Sequence, residues 1–322
     1  MTPSWQSRVV CFAARLILKH RVWGSPTTAV RWVRRILKAQ WPWSAWLGLR
    51  VTVQRVREGS VRGEWLVPRA VRSPGVLLYL HGGGYISGSA ALLRGISVRL
   101  CRLLGARVFS LDYRLAPEHP FPAAIEDAVA GYRWLLKNGV SPHEIVVAGE
   151  SAGGGLAFAL LLALRRDGAP FPAGVLAMSP WTDMEGTGES VVKNQATCVM
   201  CAQNLPALAA LYLAGQPART PLASPIYADL SGFPHILLQA SGSELLLDDA
   251  RRMHQHAQAA GVPSRLSIYA GQPHGWHILY GILPEATAAC REAAEFVQQC
   301  WQKSLTPVLM PQQGVAANVQ ER

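Results

Sequence analysis

Charged residues are scarce in this sequence, and acidic residues are absent from its first part. Only 16% of the 322 residues are charged, whereas 50% are hydrophobic. A disordered protein has the opposite balance, so the composition predicts a globular protein with a large buried core. The net charge of +11 arises in residues 1–57, which hold eleven Lys and Arg and no acid.

Cysteine is also sparse, and its six copies are scattered along the chain. A chain of this length does not need disulfides to fold, so we expect free thiols in a reducing, cytoplasmic environment. Cys198 and Cys201 have the spacing of a redox or zinc motif, but no second CxxC or histidine cluster accompanies them. The sequence therefore predicts no metal and no cofactor.

Long uninterrupted hydrophobic runs are missing from the N-terminal region. The apolar residues 9–14 are followed by Arg15 and Lys19, which interrupt the core that a signal peptide requires. A membrane-spanning helix needs about 20 consecutive apolar residues, far more than this stretch supplies. We therefore expect neither a signal peptide nor a membrane span.

The basic N-terminal region has the periodicity of two amphipathic helices, at about residues 4–22 and 26–40. The second helix has two unlike faces, with apolar Val30, Val33, Leu37 and Trp41 on one and basic Arg31, Arg34, Arg35 and Lys38 on the other. Such helices can lie on anionic membranes, or they can pack on the protein body and show their charges to water. We favour packing, because most amphipathic helices of globular proteins are half buried.

From residue 50 onward, short apolar segments alternate with helical patterns. Eight segments have the length and composition of strands: residues 51–56, 64–67, 76–80, 107–111, 145–148, 174–179, 236–240 and 265–269. Helical patterns lie between or after them, at residues 92–104, 123–137, 154–166, 245–260 and 285–302. The alternation predicts an α/β protein with a mostly parallel eight-stranded sheet flanked by helices, in which the first strands pair antiparallel.

Two segments interrupt this alternation. Residues 182–222 form a proline-containing insertion with one short helix expected at residues 205–213. Residues 304–322 have no periodicity and end in polar residues, so we expect a loose C-terminal tail. The core is therefore predicted to consist of residues 51–181 and 223–303.

The turn after the fifth predicted strand carries a catalytic motif. Residues 149–153 read Gly-Glu-Ser-Ala-Gly, between a buried strand and an Ala/Leu-rich helix. In this context GxSxG presents a serine on a tight turn, for which Gly149 and Gly153 leave room. The helix that follows Ser151 directs backbone N–H groups and its positive end toward a developing oxyanion. Ser151 is therefore the predicted nucleophile.

A glycine-rich stretch, His-Gly-Gly-Gly at residues 81–84, follows the third predicted strand. Glycines let backbone N–H groups come close to a substrate oxygen, because no side chain stands in the way. A phosphate-binding loop would continue with Lys and Ser or Thr, and this stretch does not. We interpret it as a donor loop for an oxyanion, with His81 bracing the loop.

Four motifs in this order resemble those of the hormone-sensitive-lipase family of α/β-hydrolase esterases: HGGGYISG at 81–88, DYRLAPEHPFPAA at 112–124, GESAGG at 149–154 and SPWTD at 179–183. The resemblance covers about residues 60–300. It implies an oxyanion hole made by the N–H groups of Gly83, Gly84 and Ala152. It also implies a helical cap built from residues 1–50 and 182–222, in which the tryptophan-rich N-terminal region lines an acyl or alcohol pocket.

Two histidines follow the last predicted strand, where this fold places its catalytic base. His274 stands between Pro273 and Gly275 in the loop, whereas His277 is expected to enter the following helix. The resemblance also matches the base of the family to His274. We therefore predict His274 as the base, with His277 as the alternative.

The acid of the triad is expected after the seventh predicted strand, where Glu244, Asp248 and Asp249 lie close together. The family usually has Asp-Pro-Leu-x-Asp-Glu there, and its first Asp is the triad acid. Alignment on that pattern places Glu244 at this position, a departure that some members share. Either acid can serve in this fold. We predict Glu244 as the triad acid and expect Asp248 and Asp249 to complement the dipole of the next helix.

These residues together predict a serine carboxylesterase that works through a Ser-His-Glu triad and an acyl-enzyme. The resemblance implies short- to medium-chain esters, and some relatives hydrolyse lactones or acetylated small molecules. The expected partner is thus a small ester and not a nucleic acid, and a homodimer is left open. Two alternatives remain, a non-catalytic small-molecule receptor on the same fold and an amidase that uses the same triad.

Overall fold

An eight-stranded sheet forms the centre of the protein. The structure is a computed structural model that describes residues 2–16, 26–39 and 50–305. The strands are β1 (Thr52–Glu58), β2 (Val61–Val67), β3 (Val76–Leu80), β4 (Arg107–Leu111), β5 (Ile145–Glu150), β6 (Gly174–Met178), β7 (His235–Ser241) and β8 (Ser264–Tyr269). Their order across the sheet is β1-β2-β4-β3-β5-β6-β7-β8. The predicted number of strands is confirmed.

The direction of the strands also follows the prediction. β2 pairs antiparallel with both β1 and β4, and the pairs from β4 to β8 are all parallel. Parallel strands need long crossover connections, and helices supply them here. The α/β class with a mostly parallel sheet is confirmed.

Nine α-helices lie in the described part of the chain. They are α1 (Trp5–Ala14), α2 (Pro26–Ala39), α3 (Arg94–Leu104), α4 (Ala123–Lys137), α5 (Ala152–Arg166), α6 (Ser190–Lys193), α7 (Leu205–Leu213), α8 (Leu247–Ala259) and α9 (Pro284–Leu305). The helix expected in the insertion is α7, and its bounds agree with the prediction. The last helix runs two residues into the segment expected to be a loose tail, and residues 306–322 lie outside the described part.

The core consists of two apolar layers, one on each face of the sheet. Side chains alternate along a strand, so Val76, Leu78 and Leu80 of β3 join one layer, while Leu77 and Tyr79 join the other. The first layer is completed by α4, α5 and α8, and the second by α3 and α9. Burial on both faces explains why the central strands read as continuous apolar runs in the sequence.

Helix α2 packs on the insertion in the manner expected for an amphipathic helix. Its Val30 and Val33 join a small apolar cluster with Ile86 and with Leu208 and Leu211 of α7. Its outer side carries exposed basic residues: Arg31, Arg35 and Lys38. Trp41 and the side chain of Leu37, both assigned to the apolar face by periodicity, lie outside the described residues.

Helix α1 contradicts the expectation that charges, not apolar groups, would face water. Trp5, Val9 and Phe12 are each more than half exposed, and so is Leu16 just beyond the end of the helix. The opposite side of α1 contacts the segment after β8 through polar groups, including the buried Ser7. Residues 17–22 of the longer helix expected here lie outside the described part.

Among the residues that the structure describes, no helix combines the length and the apolar character needed to cross a membrane.

Candidate active site

Ser151 occupies the tight turn between β5 and α5. Its backbone has φ 55° and ψ −120°, a conformation that a residue with a side chain rarely adopts. The turn is held in place by two backbone hydrogen bonds, from Ser151 N–H to the carbonyl of Met178 at 2.9 Å and from Trp181 N–H to the carbonyl of Ser151 at 3.0 Å. The strained conformation lifts the serine side chain out of the sheet.

The glycines on either side of Ser151 are required by the close approach of backbone atoms. A Cβ atom at Gly149 would lie 2.0 Å from the carbonyl oxygen of Gly153. A Cβ atom at Gly153 would lie 2.1 Å from the carbonyl oxygen of Leu80 at the end of β3. Both distances are far below van der Waals contact, so the steric reason given for the GxSxG motif holds in this structure.

His274 and Glu244 extend a continuous line of hydrogen bonds from Ser151. The Nε2 atom of His274 lies 2.9 Å from the Oγ atom of Ser151, and its Nδ1 atom lies 2.6 Å from Oε2 of Glu244. Glu244 is fully buried, and its Oε1 atom accepts the N–H of Ser241 at 2.7 Å. The carboxylate therefore fixes the ring with one nitrogen directed at the serine.

The electrostatic surroundings favour a proton on His274. Burial alone would lower the pKa of its imidazole, but the hydrogen bond to Glu244 and the charges of Glu244 and Glu150 outweigh burial and raise that pKa above its ordinary value. An imidazolium formed during a reaction would be stabilised by the same groups. His274 can thus take up a proton from Ser151 and hold it.

The other candidate histidines lie elsewhere. His277 is buried, its Nε2 atom lies 3.0 Å from Oε1 of Gln239, and burial lowers its pKa to about 3. His81 is also buried, with Nδ1 2.8 Å from the carbonyl of Gly82 and its ring stacked on Tyr113. The structure therefore brings His274, and neither of the other two, to Ser151.

The three residues expected to form an oxyanion hole, Gly83, Gly84 and Ala152, lie near Ser151 in the cavity or next to it in the chain. Both glycines have positive φ, 113° and 63°, and both line the same cavity as Ser151 and His274. No described residue accepts a hydrogen bond from the N–H of either glycine. Ala152 is the first residue of α5, where a backbone N–H has no partner within the helix. These groups are placed to donate to a ligand.

The two aspartates near Glu244 do not contact His274, and one has a role that the sequence did not reveal. Both lie in the first turn of α8, as expected. Asp248 accepts the N–H of Ser190 at 2.8 Å. Asp249 is buried and its Oδ2 accepts the N–H groups of Thr182 and Asp183 at 2.7 and 2.9 Å, while burial raises its pKa to about 7. Asp249 thus ties the start of the insertion to α8.

Sequence reasoning also missed Glu150, because the residue before the serine counts as a free position in GxSxG. Its side chain is 13% exposed, and its Oε1 atom lies 3.8 Å from Nε2 of His274. A Cβ atom at Gly82 or Gly275 would lie 2.0 or 2.7 Å from this carboxyl group, which therefore fills the space between their two loops. Burial raises the pKa of Glu150, although the charge of His274 opposes this.

A cavity of about 310 Å³ lies beside Ser151. Its wall is mostly apolar and includes Trp32 and Val33 of α2, together with Met200 and Leu208 of the insertion. Both segments expected to form a cap therefore contribute to the wall. An apolar cavity with a few polar groups at one end is typical of a site for a small organic molecule.

Comparison with known proteins identifies the family of this chain. A family model of the alpha/beta hydrolase fold matches residues 77–278, which include all the residues discussed around Ser151 except those of α2. The chain belongs to the α/β-hydrolase family. The α/β-hydrolase fold, which the four motifs imply, is thus confirmed.

Several proteins similar to this α/β-hydrolase are named as ester hydrolases. An acetyl-hydrolase of Streptomyces hygroscopicus is 43% identical over 76% of this chain and 81% of its own length. An esterase of Acinetobacter venetianus is 34% identical over 76% of this chain and 82% of its own. A crystal structure of an esterase from the bacterial hormone-sensitive lipase family is 40% identical, with a TM-score of 0.84 and coverage of 94% and 100% of the two chains.

These similarities place the α/β-hydrolase in the bacterial hormone-sensitive lipase family, as the motifs indicated. It is an enzyme, a carboxylic ester hydrolase, and the prediction of that class is confirmed. The alternative of a non-catalytic receptor is therefore rejected.

Proposed function

We propose that this enzyme hydrolyses esters of short acyl chains, with Ser151 as nucleophile, His274 as base and acid, and Glu244 as the group that orients His274. The observation that carries the proposal is the unbroken hydrogen-bonded line from Ser151 through His274 to Glu244 at one end of an apolar cavity. Each of the three side chains has the chemistry that its place in the line requires.

In the first half of the reaction, Oγ of Ser151 attacks the ester carbonyl while its proton moves to Nε2 of His274. The new C–O bond pushes the carbonyl electrons onto oxygen, and the N–H groups of Gly83, Gly84 and Ala152 donate to that oxyanion. One such donor stabilises the transition state by about 3 kcal/mol. The bond to the alcohol then breaks, and His274 gives its proton to the leaving oxygen.

The second half reverses these roles with water. His274 takes a proton from a water molecule, which attacks the acyl carbon, and the same N–H groups hold the second oxyanion. Collapse of this intermediate releases the carboxylic acid and returns the proton to Oγ of Ser151. No atom outside the chain, the ester and water takes part in these steps.

The preference for short acyl chains is supported by the size of the cavity and by one relative. The cavity beside Ser151 has a volume of about 310 Å³. The relative from Streptomyces hygroscopicus is named an acetyl-hydrolase. Together these two observations favour acetyl and butyryl esters over esters of long-chain acids.

A panel of p-nitrophenyl esters tests the proposal. We expect kcat/KM to be highest between acetyl and butyryl and to fall more than about tenfold toward dodecanoyl, because the long chain cannot be buried. We expect Ser151→Ala to abolish turnover of all members. A maximum at dodecanoyl would contradict the substrate class, and faster turnover of butyryl p-nitroanilide than of the ester would favour the amidase alternative.

A cytoplasmic location is a separate part of the proposal. No disulfide joins any of the six cysteines, all of which lie in the described part of the chain, and five of them are buried. Burial raises the pKa of several of these thiols, for example that of Cys101 to about 12, so they are unreactive. Proteins in a reducing environment typically lack disulfides, which supports a cytoplasmic location.

A further inference from the structure

Helix α1 carries an apolar stripe that faces solvent. The stripe consists of Trp5, Val9, Phe12 and Leu16, whose spacing of three or four residues places them on one side of the helix. Their exposures are 71%, 58%, 64% and 63%. Half of the exposed large hydrophobic side chains in the described part of the chain belong to this stripe, so its exposure is not part of a general pattern.

The orientation of α1 is fixed by polar contacts on its other side. The buried Ser7 donates its hydroxyl to Oε1 of Gln272 at 2.9 Å, and the same hydroxyl oxygen lies 2.9 Å from Oε2 of Glu285. The thiol of Cys11 donates to the carbonyl of Gly271 at 3.2 Å. Turning the stripe inward would break these bonds and leave buried polar groups without partners, which is costly. These polar contacts therefore hold α1 with its apolar stripe toward solvent.

Basic residues flank the stripe in the sequence. Arg8 belongs to α1 and Arg15 directly follows its last residue. Residues 1–57 contain eleven Lys and Arg and no acid. A second copy of the chain, docked stripe to stripe, would bring two of these cationic segments together. An anionic lipid surface offers both an apolar layer and negative charge, so it complements the stripe and its surroundings.

The surface next to α1 also carries apolar and cationic groups. Val10 of α1 packs against a buried cluster that contains Leu283, and Ile282 next to it in the chain is 51% exposed. Arg99 lies over the ring of Tyr280 in the same segment, with its guanidinium carbon 4.3 Å from the ring centre. Apolar and cationic groups therefore continue from α1 onto the neighbouring segment.

We propose that α1 docks this esterase on anionic lipid surfaces. The stripe enters the boundary between headgroups and acyl chains, and Arg8 and Arg15 lie at the level of the phosphates. The side of α1 opposite the stripe contacts Gly271 and Gln272, so the docked helix lies between the lipid surface and this segment of the protein. The proposal does not depend on which esters the enzyme hydrolyses.

Vesicle flotation of the full chain tests the docking. The vesicles are phosphatidylcholine alone, or phosphatidylcholine with phosphatidylglycerol, each at low and high salt. We expect the wild type to bind the anionic vesicles at low salt at least tenfold more than the neutral ones, and high salt to weaken that binding. We expect the double variant Trp5→Ser/Phe12→Ser to lose at least tenfold in binding.

Val192→Ser is the matched control, because Val192 is 73% exposed but lies on α6. We expect it to bind as the wild type does, and all three proteins to turn over p-nitrophenyl acetate, which shows that they are folded. Equal binding of the wild type and the double variant, or of neutral and anionic vesicles, would overturn the proposal. So would a dimer, seen by sedimentation velocity and lost in the double variant, without any vesicle binding.

Discussion

Glu244 uses both of its carboxylate oxygens, one on the Nδ1 atom of His274 and the other on the N–H of Ser241. The side chain folds back over its own turn to reach this N–H three residues earlier. A glutamate is one methylene longer than the aspartate usual at this position. The turn after β7 accommodates the longer side chain, and both of its carboxylate oxygens still accept a hydrogen bond. The departure from the family pattern is therefore compatible with the same contact to the histidine.

Glu244→Ala is expected to lower kcat by about 10⁴, because a histidine without its orienting acid loses the correct tautomer and the stabilisation of its charged form. Asp248→Ala is the matched control, since Asp248 contacts Ser190 and not His274. Steady-state kinetics with p-nitrophenyl butyrate distinguish the two. A larger loss in Asp248→Ala than in Glu244→Ala would show that the acid is misassigned.

Glu150 provides a test based on pH. The neutral form of His274 is the base, so kcat/KM falls as the pH drops through the pKa of His274. The carboxylate of Glu150 favours the charged imidazole and so contributes to raising that pKa. Glu150→Gln removes the charge, which lowers the pKa of His274 and moves the acidic limb of the profile to lower pH. An unchanged limb, or a shift to higher pH, would contradict this role.

The two residues differ in what the sequence could reveal about them. Glu244 was predicted because residues 244–249, Glu-Leu-Leu-Leu-Asp-Asp, align with the acid pattern of the hormone-sensitive-lipase family. Glu150 was not found, because the motif places no constraint on its position, and only the structure shows that its side chain fills the space between two loops. The buried contacts of Asp249 could not be predicted from the sequence either, because they depend on the path of the insertion.

At the level of elements, α2 and α7 both line the cavity, and α2 is hydrogen-bonded to the segment that follows Gly83 and Gly84. Arg34 of α2 donates to the carbonyls of Ile86 and Ala116 at 2.9 and 3.3 Å and pairs with Glu118 at 2.7 Å. This pairing lowers the pKa of Glu118 to about 2. The contacts fix the position of a wall of the cavity relative to the groups proposed to hold the oxyanion.

Leu208 of α7 is expected to limit acyl length, because it lines the cavity and its methyl carbons would lie 3.5 and 3.6 Å from a Cβ atom on Gly84. Leu208→Ala should raise kcat/KM for octanoyl relative to acetyl p-nitrophenyl esters by about tenfold, since a few buried methylenes are worth that much. Leu211→Ala is the control, because Leu211 packs in the same cluster but does not line the cavity. Equal shifts in both variants would mean that loosening of the helix, and not added space, is responsible.

The elements themselves were predictable to different degrees. β3, β4 and α4 have the bounds that apolar periodicity indicates, because burial on one or both faces dictates their composition. The outward face of α1 was predicted wrongly. Periodicity shows that a helix has two unlike sides, but the side that contacts the protein is selected by its partners, and Ser7 meets polar partners more than 260 residues away.

The whole molecule brings these residues together through its parallel sheet. Ser151, Glu244 and His274 follow β5, β7 and β8, and the glycine loop follows β3. The carboxyl ends of parallel strands meet at one edge, so residues separated by more than 190 positions in the sequence line one cavity. Strand order could be inferred from the fold family, whereas the distances between side chains required the structure.

Active-site titration with diethyl p-nitrophenyl phosphate tests the central claim most directly. Attack by Oγ of Ser151 on phosphorus expels p-nitrophenolate and leaves a stable phosphoryl-enzyme, so we expect about one equivalent of p-nitrophenol per chain and a single adduct. Peptide mass spectrometry should place that adduct on Ser151, and Ser151→Ala should release no burst. An adduct on another residue, or a full burst from Ser151→Ala, would contradict the proposed mechanism.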